Sequence, residues 1–447
     1  MKILACALRS LPHSARARLR ITILAGDGDT RENRCLRMDA DRPSLPGTTI
    51  ATAPIVRDDV GIATITAADW DALTGGNPLT SHAFLRALHE TGCASRATGW
   101  TPCHLTAWRG VTLVGALPLY AKAHSYGEYV FDWAWADAYR RYGRRYYPKL
   151  VAAIPFTPAP GRRFFASDDA VRGALLQAAL SRLLPAQGIG EPPFSSLHVL
   201  FPTESEARAC ADAGMLVRHG VQFRWENPGY RDFADFLATF NHDKRKKVKQ
   251  ERRRVAAAGI TFTRKVGAEI NAADWAFFYR CYQQTYRDHH STPYLNLAFF
   301  ERIGAAMPGN VMLALGHRGG AAICAALDLF DADTLWGRYW GTTEHVSGLH
   351  FEACYYQAIE FCIERKIARF EGGAQGVHKL ARGLVPVTTW SAHAIADPEF
   401  ARAIAEFCAR ERVDVAHAVH ELDAASPFRN PSPGYGPRQE QGRNGAC

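Results

Sequence analysis

The order of elements in residues 335–373 constrains the fold most strongly. A strand-like segment is followed by the polar, glycine-bounded loop "GTTEHVSGLH", a helical pattern and a second strand, "IARFEGG". The helical pattern buries one face, because its apolar residues recur at helical spacing, namely Phe351, Cys354, Ala358, Phe361 and Cys362. A helix that begins directly after a short loop presents unpaired N–H groups, which suit a phosphate or pyrophosphate. From the residues alone, the unit is either a structural crossover or an anion site.

The stretch "FEGGAQGVHKLARG", residues 370–383, closes this unit and combines glycine with charge. Its four glycines remove side-chain bulk and permit positive φ. Glu371, His378, Lys379 and Arg382 bring charge and proton-transfer capacity into the same short span. The residues alone are compatible with a catalytic loop or with a solvated turn.

The remaining apolar patterns predict an α/β (α+β) protein with two halves, each a mixed sheet flanked by helices. A chain of 447 residues predicts two to three domains. We place the halves at residues 58–218 and 219–425, with one long basic helix over about 231–258. The segments 1–57 and 426–447 are rich in Pro, Gly and polar residues without a period, which predicts disorder.

Composition excludes several classes of protein. No apolar run approaches the roughly 18–20 residues of a membrane-spanning helix, and the start "MKILACALRS" is too short for a normal secretory segment. We therefore expect a cytoplasmic location. None of the 11 cysteines forms a C-x-x-C motif, and "DHH" at 288–290 has no second ligand cluster nearby, so we expect no metal site.

The positive charge of the chain is concentrated in one run. The formal net charge is +9, and "KRKKVKQERRR", residues 244–254, has eight basic residues and one acidic residue. The run is either a solvated helix face or a site for an RNA backbone, an anionic carrier or a membrane surface. The candidate polyanion-binding residues are Arg245, Lys246, Lys247 and Arg253.

A block of aromatic and charged residues spans 124–150, "HSYGEYVFDWAWADAYRRYGRRYYPKL". Packing alone needs few of these polar groups. A pocket for a polar substrate uses aromatic walls and a few convergent charges. The block therefore indicates either packing or a substrate pocket, whose candidate residues are His124, Glu128, Asp132, Tyr139, Tyr147 and Lys149.

Several blocks of the chain resemble a bacterial family of predicted N-acyltransferases, the FemAB-like or "peptidoglycan biosynthesis protein" type of the GNAT (N-acetyltransferase) superfamily. They include the aromatic block, "QFRWENPGYRDFADFLATF", "KRKKVKQERR", "LHFEACYYQAIEFCIERK" and "FEGGAQGVHKLARGLVP". The resemblance covers about residues 58–420. It implies two tandem GNAT-like domains with mostly antiparallel sheets. It also implies transfer of an acyl or aminoacyl group, from acyl-CoA or aminoacyl-tRNA, to an amine.

The same resemblance implies the site and the partners. No cofactor is expected to bind tightly; the acceptor would be a small molecule or a cell-wall precursor, and tRNA or an acyl carrier could bind as a partner. The donor would lie against Gly341, Glu344, Gly348, His350, Gly372, Gly373, Gln375 and Arg382. The aromatic block would line the acceptor side.

One departure from the family pattern concerns the base. The family sequence is similar to G-A-Q-G-E-H-K, whereas this chain has Val377 in place of the glutamate. The remaining catalytic candidates are His378, which titrates near neutral pH, Glu371, which could orient it or bind an ammonium, and Lys379, which could stabilise an oxyanion. An alternative function is a non-catalytic module that binds an anionic polymer or carrier, which Val377 favours.

Overall fold

Glycine turns set the strand pairing in both halves of the protein. The computed structural model describes residues 53–185, 190–374 and 376–429. Gly319 and Gly320 have φ of 58° and 82° and join two antiparallel strands, because positive φ at both turn positions matches the twist of a hairpin. Gly110, with φ of 61°, lies in the turn of an antiparallel hairpin in the first half.

The described residues contain fifteen strands. They are β1 (Ile55–Arg57), β2 (Trp100–Pro102), β3 (Leu105–Arg109), β4 (Thr112–Leu117), β5 (Leu119–Lys122), β6 (Lys149–Ala152), β7 (Phe165–Ala166), β8 (Ser196–Leu200), β9 (Leu216–Glu226), β10 (Ile260–Val266), β11 (Val311–Arg318), β12 (Ala321–Phe330), β13 (Thr334–Thr342), β14 (Arg369–Ala374) and β15 (Val385–Ile395).

Most of these strands belong to one large sheet. Its spatial order is β10-β11-β12-β13-β14-β9-β15-β8-β6-β5-β2, and a smaller sheet has the order β1-β3-β4-β7. Among the described strands only β6 with β8 and β13 with β14 pair in parallel. One parallel pair in each half, within an otherwise antiparallel sheet, confirms the predicted fold class. The division between residues 218 and 219 stays a prediction, and this position lies inside β9.

Helices cover the faces of the sheets. They are α1 (Ala67–Thr74), α2 (His82–Glu90), α3 (Trp133–Arg141), α4 (Asp169–Ser181), α5 (Glu204–Asp212), α6 (Phe233–Ala238), α7 (His242–Ala257), α8 (Ala272–Asp288), α9 (Leu297–Ala306), α10 (Leu349–Phe351), α11 (Gln357–Arg365) and α12 (Pro398–Ala424). A π-helical turn, Glu352–Tyr356, connects α10 to α11 without a break. No helix within the described ranges is long and apolar enough to cross a membrane.

The predicted long basic helix is two helices instead of one. The break lies at Asn241, whose side-chain oxygen accepts a hydrogen bond from the backbone N–H of Lys244. An Asn that caps a helix in this way has an extended backbone, which ends the preceding helix. Val248 and Val255, seven residues apart along the basic run, form the inward-facing seam of α7, because they are 1% and 2% exposed.

Two apolar cores support the parallel pair of the second half. One core joins the first half to α8 and α9, through residues such as Trp100, Phe278 and Leu327. The other lies between the sheet and α10–α11, and it includes Tyr355 and Phe370. The paired segment of β13 and β14 is therefore packed against an apolar core on each face of the sheet. The predicted disordered segments lie outside the described residues, apart from 53–57 and 426–429.

Candidate active site

The strands β13 and β14 separate after three residue pairs. They pair in parallel at Thr334 with Arg369, Leu335 with Phe370 and Trp336 with Glu371. From there β13 continues to Thr342 alongside β12, whereas β14 continues alongside β9. Beyond Trp336 no described strand pairs with the edge of β13 that faces β14, and we call this unpaired stretch the gap.

A β-bulge lies at the start of this gap. Gly337 is opposite Asp328 and Tyr339 is opposite Leu327, so Arg338 is the extra residue on β13. A bulge bends its strand and re-aims the side chains around it. Arg338 donates to the carbonyl of Phe156 at 2.7 Å and to the hydroxyl of Thr157 at 3.0 Å. The bulge therefore tethers the free edge of β13 to the first half of the protein.

The loop after β13 leads directly into a helix, as the sequence predicts. Gly348 precedes the helix in a left-handed conformation, with φ of 88°. A Cβ at this residue would lie 3.6 Å from the carbonyl of Glu251 in α7, so α7 packs against the start of the helix. His350 follows and stacks on Trp340 of β13 at 4.5 Å between ring centroids. Glu344, a donor-site candidate in this loop, pairs with Arg318.

His378 is partly exposed near the start of a 3-10 turn, Val377–Arg382, which lies between two glycines with positive φ. Its Nε2 is 3.1 Å from the hydroxyl of Tyr355. Burial, with help from two neighbouring cations, lowers the pKa of His378 to about 4, so the ring is neutral at pH 7. Burial also raises the pKa of Tyr355. Its hydroxyl therefore stays protonated. In the tautomer whose Nε2–H donates to the hydroxyl oxygen of Tyr355, Nδ1 of His378 keeps a free lone pair.

The side chains of Lys379 and Arg382, which belong to the same turn, are buried. The ammonium of Lys379 donates to the carbonyl of Gly373 at 3.0 Å, and burial lowers the pKa of Lys379 to about 8. Arg382 donates to Glu251 and to the carbonyl of His378, both at 2.6 Å. Its guanidinium also covers the ring of Phe351 at 3.3 Å. Both cations thus form hydrogen bonds within the protein. Those of Arg382 attach the turn to the basic helix α7.

Glu371 and His378 lie on opposite faces of the sheet. Phe370 is near Tyr355, the partner of His378, and successive side chains of a strand point to opposite faces. Glu371 instead accepts from Arg224 at 2.7 Å, and its second oxygen is buried without a hydrogen-bond partner. Burial raises the pKa of Glu371, and Arg224 opposes this. Glu371 therefore does not orient His378, although it stands where the gap begins.

The glycines of the donor candidates have packing reasons of their own. A Cβ at Gly341 would come within 2.0 Å of the carbonyl of Cys281 in α8, and one at Gly372 within 2.4 Å of Leu384. Gly373 has φ of 75°, a conformation that side chains rarely adopt. Gln375 lies outside the described residues.

The charged residues of the aromatic block form a buried cluster. Lys149 donates to Glu128 at 2.8 Å, to Ser125 at 2.9 Å and to Asp132. Lys122, which the sequence analysis missed, lies 4.0 Å from Glu128 and 3.8 Å from the ring centroid of Trp100. Burial lowers the pKa of Lys122 and raises that of Glu128, both to about 7. Asp132 Oδ1 accepts no hydrogen bond, and neither does Glu128 Oε1, the oxygen that faces Lys122.

The other acceptor candidates divide between this cluster and a core. Tyr147 joins the cluster through Ser125 at 2.8 Å, and His124 contacts Lys122 at 3.4 Å. Tyr139 instead stacks on Phe400 at 3.9 Å, and its hydroxyl has no partner. The acceptor roles of all these residues stay predictions.

Two buried histidines next to the cluster were not predicted. His198 and His393 meet at 2.6 Å between their Nδ1 atoms, and each is bonded by a serine. They come from β8 and β15, which are 195 residues apart at this contact. No local sequence pattern predicts a contact between residues so far apart in the chain.

The basic helix α7 presents most of its charge to solvent. Lys246, Lys247 and Arg253 are exposed, Arg245 is half-buried, and within the described residues none of the four forms an ion pair. Arg245, Lys246 and Arg253 line, together with Phe233 of α6, a groove of about 1010 Å³. The residue that anchors the helix is Glu251, the single acid of the run. No group of three or more potential metal ligands occurs among the described residues.

Two halves with one parallel strand pair each, and a splayed pair followed by a glycine-capped helix, define a tandem GNAT-like α/β protein. The model of the FemAB-like family, described as peptidoglycan biosynthesis/recognition, matches residues 61–430. The chain belongs to this family. The description of this family places the chain among proteins of peptidoglycan biosynthesis or recognition.

Solved structures of distant proteins show similarity to this chain. FemX is 13% identical over 76% of this chain and 98% of its own, with a TM-score of 0.48. L-PGS from Bacillus licheniformis is 10% identical over 72% of this chain and 95% of its own, with a TM-score of 0.43. A tandem GNAT protein from the clavulanic acid biosynthesis pathway is 10% identical, covering 74% and 95%, with a TM-score of 0.38. No match was found among curated protein sequences.

Proposed function

We propose that the protein transfers an acyl or aminoacyl group from acyl-CoA or aminoacyl-tRNA to the amine of a small molecule or cell-wall precursor. The observation that carries this proposal is the gap between β13 and β14. An extended donor arm with amide groups can pair with the free edge of β13, as an added strand would. Both donors are made in the cytoplasm, so the proposal includes a cytoplasmic location.

The helix after Gly348 would hold the phosphate end of the donor. The N–H of Leu349 already donates to the carbonyl of Val346 at 3.1 Å. The next N–H groups of the first turn have no partner within the helix and would be the ones that bind an anion. The pyrophosphate of CoA and the terminal phosphates of tRNA both satisfy this requirement. Exposed cations on α7, which packs beside Gly348, would extend the same favourable potential to a longer polyanion.

His378 would receive the proton of the attacking amine. The neutral amine adds to the donor carbonyl, the new C–N bond forms, and the thiolate or ribose oxygen leaves with the electron pair of the broken bond. A neutral imidazole can accept a proton at pH 7, although its low pKa makes it a weak base. Most of the rate would then come from holding amine and carbonyl together. Glu371 is the second candidate base, acting from the opposite face.

The acceptor would bind beside the loop that contains Glu128 and Asp132. Asp132 Oδ1 has no hydrogen-bond partner, and Glu128 Oε1 has only the ammonium of Lys122 at 4.0 Å. Both oxygens support this assignment, since a second ammonium could hydrogen-bond to them. Two tyrosines near Tyr339 of β13 would form the walls of the acceptor side: Tyr129 from the first half and Tyr282 from α8.

Hydrogen exchange tests the donor site without knowledge of the acceptor. Acetyl-CoA and a non-hydrolysable aminoacyl-tRNA analogue should each be added to the full-length protein. If the donor arm pairs with β13, the amides of residues 338–342 gain protection, whereas those of β11 do not change. Protection by one donor only identifies that donor. If neither donor protects these amides, the donor assignment is wrong.

Product analysis by mass spectrometry tests the proton acceptor. His378→Gln and Glu371→Gln should be compared with His417→Gln, an exposed histidine of α12. We expect His378→Gln to lower kcat about 10²-fold or more, the usual contribution of a general base, while His417→Gln stays at the wild-type level. Near wild-type turnover in both His378→Gln and Glu371→Gln would exclude a base at either position.

A non-catalytic binding protein is the second candidate function. The observation that favours it is Val377, which is 63% exposed where the family pattern has glutamate. Titration calorimetry that detects donor binding, together with an absence of turnover for every amine tested, would support this alternative.

A further inference from the structure

The loop before α3 has two chemically different sides. Its inner residues, Ser125, Glu128 and Asp132, enter the buried charge cluster around Lys149. Its outer residues are Tyr126, Phe131 and Trp133, together with Tyr142 at the end of α3, and they are 56%, 39%, 38% and 65% exposed. Among the described residues these four are the only large aromatic side chains that are exposed.

Exposed arginines lie at the end of α3 and directly after it, next in sequence to these aromatic residues. Arg140, Arg141, Arg144 and Arg145 are all exposed. Two of them share one acid, Asp137, and a third pairs with Glu191, so the arginines outnumber their acidic partners two to one. We call these eight side chains the aromatic–arginine patch: Tyr126, Phe131, Trp133, Tyr142, Arg140, Arg141, Arg144 and Arg145.

The patch is held rigidly in its exposed form. The rings of Tyr126 and Trp133 contact each other edge to face at 4.9 Å. The carbonyl of Phe131 accepts from Arg218 at 2.7 Å, which fixes the loop to β9. The buried ion pairs below the loop prevent these rings from turning inward. Exposed apolar patches of this kind mark interaction sites in soluble domains.

The geometry points to the surface of an anionic lipid bilayer as the partner of this patch. Trp and Tyr rings, apolar with one polar atom, are enriched at the lipid–water boundary. Arginines next to them attract anionic headgroups, each strengthening binding about fivefold. The rings cover one another by their edges, so they do not present the parallel faces on which single-stranded nucleic acid stacks. This inference concerns the outer side of the loop and does not depend on the proposed transfer reaction.

Vesicle flotation with the full-length protein tests this inference. The probes are phosphatidylcholine vesicles with and without 30% phosphatidylglycerol, a composition that we choose to give roughly the charge of an anionic membrane. We expect binding to the anionic vesicles that weakens as salt is raised. Y126S/F131S/W133S and R140Q/R141Q/R144Q should each lower the partition coefficient about tenfold or more.

Matched controls separate this patch from general effects. V111S/L184S removes apolar groups that are exposed elsewhere, and R208Q/R231Q/R365Q removes the same number of charges from exposed arginines outside the patch and outside α7. Both should bind vesicles as the wild type does. Y142S, at the edge of the patch, gives a second readout if the triple aromatic variant does not fold, with roughly a twofold loss expected.

Three results would overturn the inference. The first is a wild-type protein that does not float with anionic vesicles. The second is an equal loss of binding in the control variants. The third is binding of bulk tRNA, without vesicle binding, that the aromatic variant abolishes, because the patch would then be an RNA site. None of these outcomes alters transfer activity on a soluble acceptor, so the two proposals fail separately.

Discussion

Replacing Arg382 with methionine should destabilise the protein strongly, because it leaves a buried charge without its partner. The side chains of Arg382 and Glu251 are 3% and 10% exposed and meet at 2.6 Å. After the substitution Glu251 retains only the hydroxyl of Tyr356, at 2.5 Å, as a donor. Breaking one side of a buried ion pair costs about 3–5 kcal/mol.

The expected change in melting temperature follows from the length of the chain. For 447 residues, the entropy of unfolding is about 0.9 kcal/mol per kelvin. A loss of about 3–5 kcal/mol therefore lowers Tm by roughly 3–5 °C. Differential scanning calorimetry on the purified variants measures this shift directly.

A double variant separates the buried charge from the loss of packing. In E251Q/R382M neither residue is charged, and the glutamine still accepts from Tyr356. We expect this variant to recover at least about 2 kcal/mol relative to R382M alone. Arg231→Met is the matched surface control, since its pair with Asp235 is exposed on the arginine side, and its Tm should equal that of the wild type.

The reasoning is refuted if R382M melts at the wild-type temperature, or if E251Q and R382M lower Tm additively. Either result would mean that the pair does not hold the 3-10 turn to α7. Hydrogen exchange gives an independent check, because the amides of residues 377–383 should lose protection in R382M and regain little of it in the double variant.

Three further predictions concern charge. Val377→Glu should raise the pKa of His378 above about 4, because an adjacent carboxylate favours the imidazolium; an unchanged NMR titration of His378 would contradict this. Burial holds the pKa of His198 near 3 and that of His393 well below 6.5, so the unfolded chain binds more protons between about pH 3 and 6.5. Stability should therefore fall as pH drops through that window, by up to about 1.4 kcal/mol per pH unit for each histidine, and His→Gln at both positions should flatten the urea-unfolding profile. Lys149→Met should cost about 3–5 kcal/mol in the same assay, most of which returns when both of its carboxylate partners are also neutralised.

The local patterns of the sequence are sufficient to predict the helices and strands that form the site. The β-loop-α-β order of residues 335–373 and the seam of Val248 and Val255 are both readable, since each depends on neighbours within two helical turns. Asn241 is also a local signal, because an Asn followed by a helical pattern is a helix start. The predicted single helix ignored that signal in favour of the continuous run of charge.

Long-range pairings account for what the sequence analysis missed. The hydrogen bond between Glu251 and Arg382 joins residues that are 131 positions apart in the chain. The residues around Glu251 therefore could not predict its partner. The opposite faces of Glu371 and His378 follow from strand register, which depends on the whole sheet. Glu371 and His378 are close in sequence and chemically matched, so the sequence suggested that they interact. The fold separates them because they lie on opposite faces of the sheet.

The position of β15 in the large sheet has a consequence for biosynthesis. This late strand lies between β9 and β8, and its residues 391–395 pair with residues 196–200. A ribosome adding about 5–20 residues per second needs roughly 10–40 s to make the chain between them. During that time β8 is an open edge, which is a template for incorrect pairing. A nascent chain of this protein therefore depends on chaperone protection until its last strand emerges, and chains that are released before residue 395 should accumulate as aggregates.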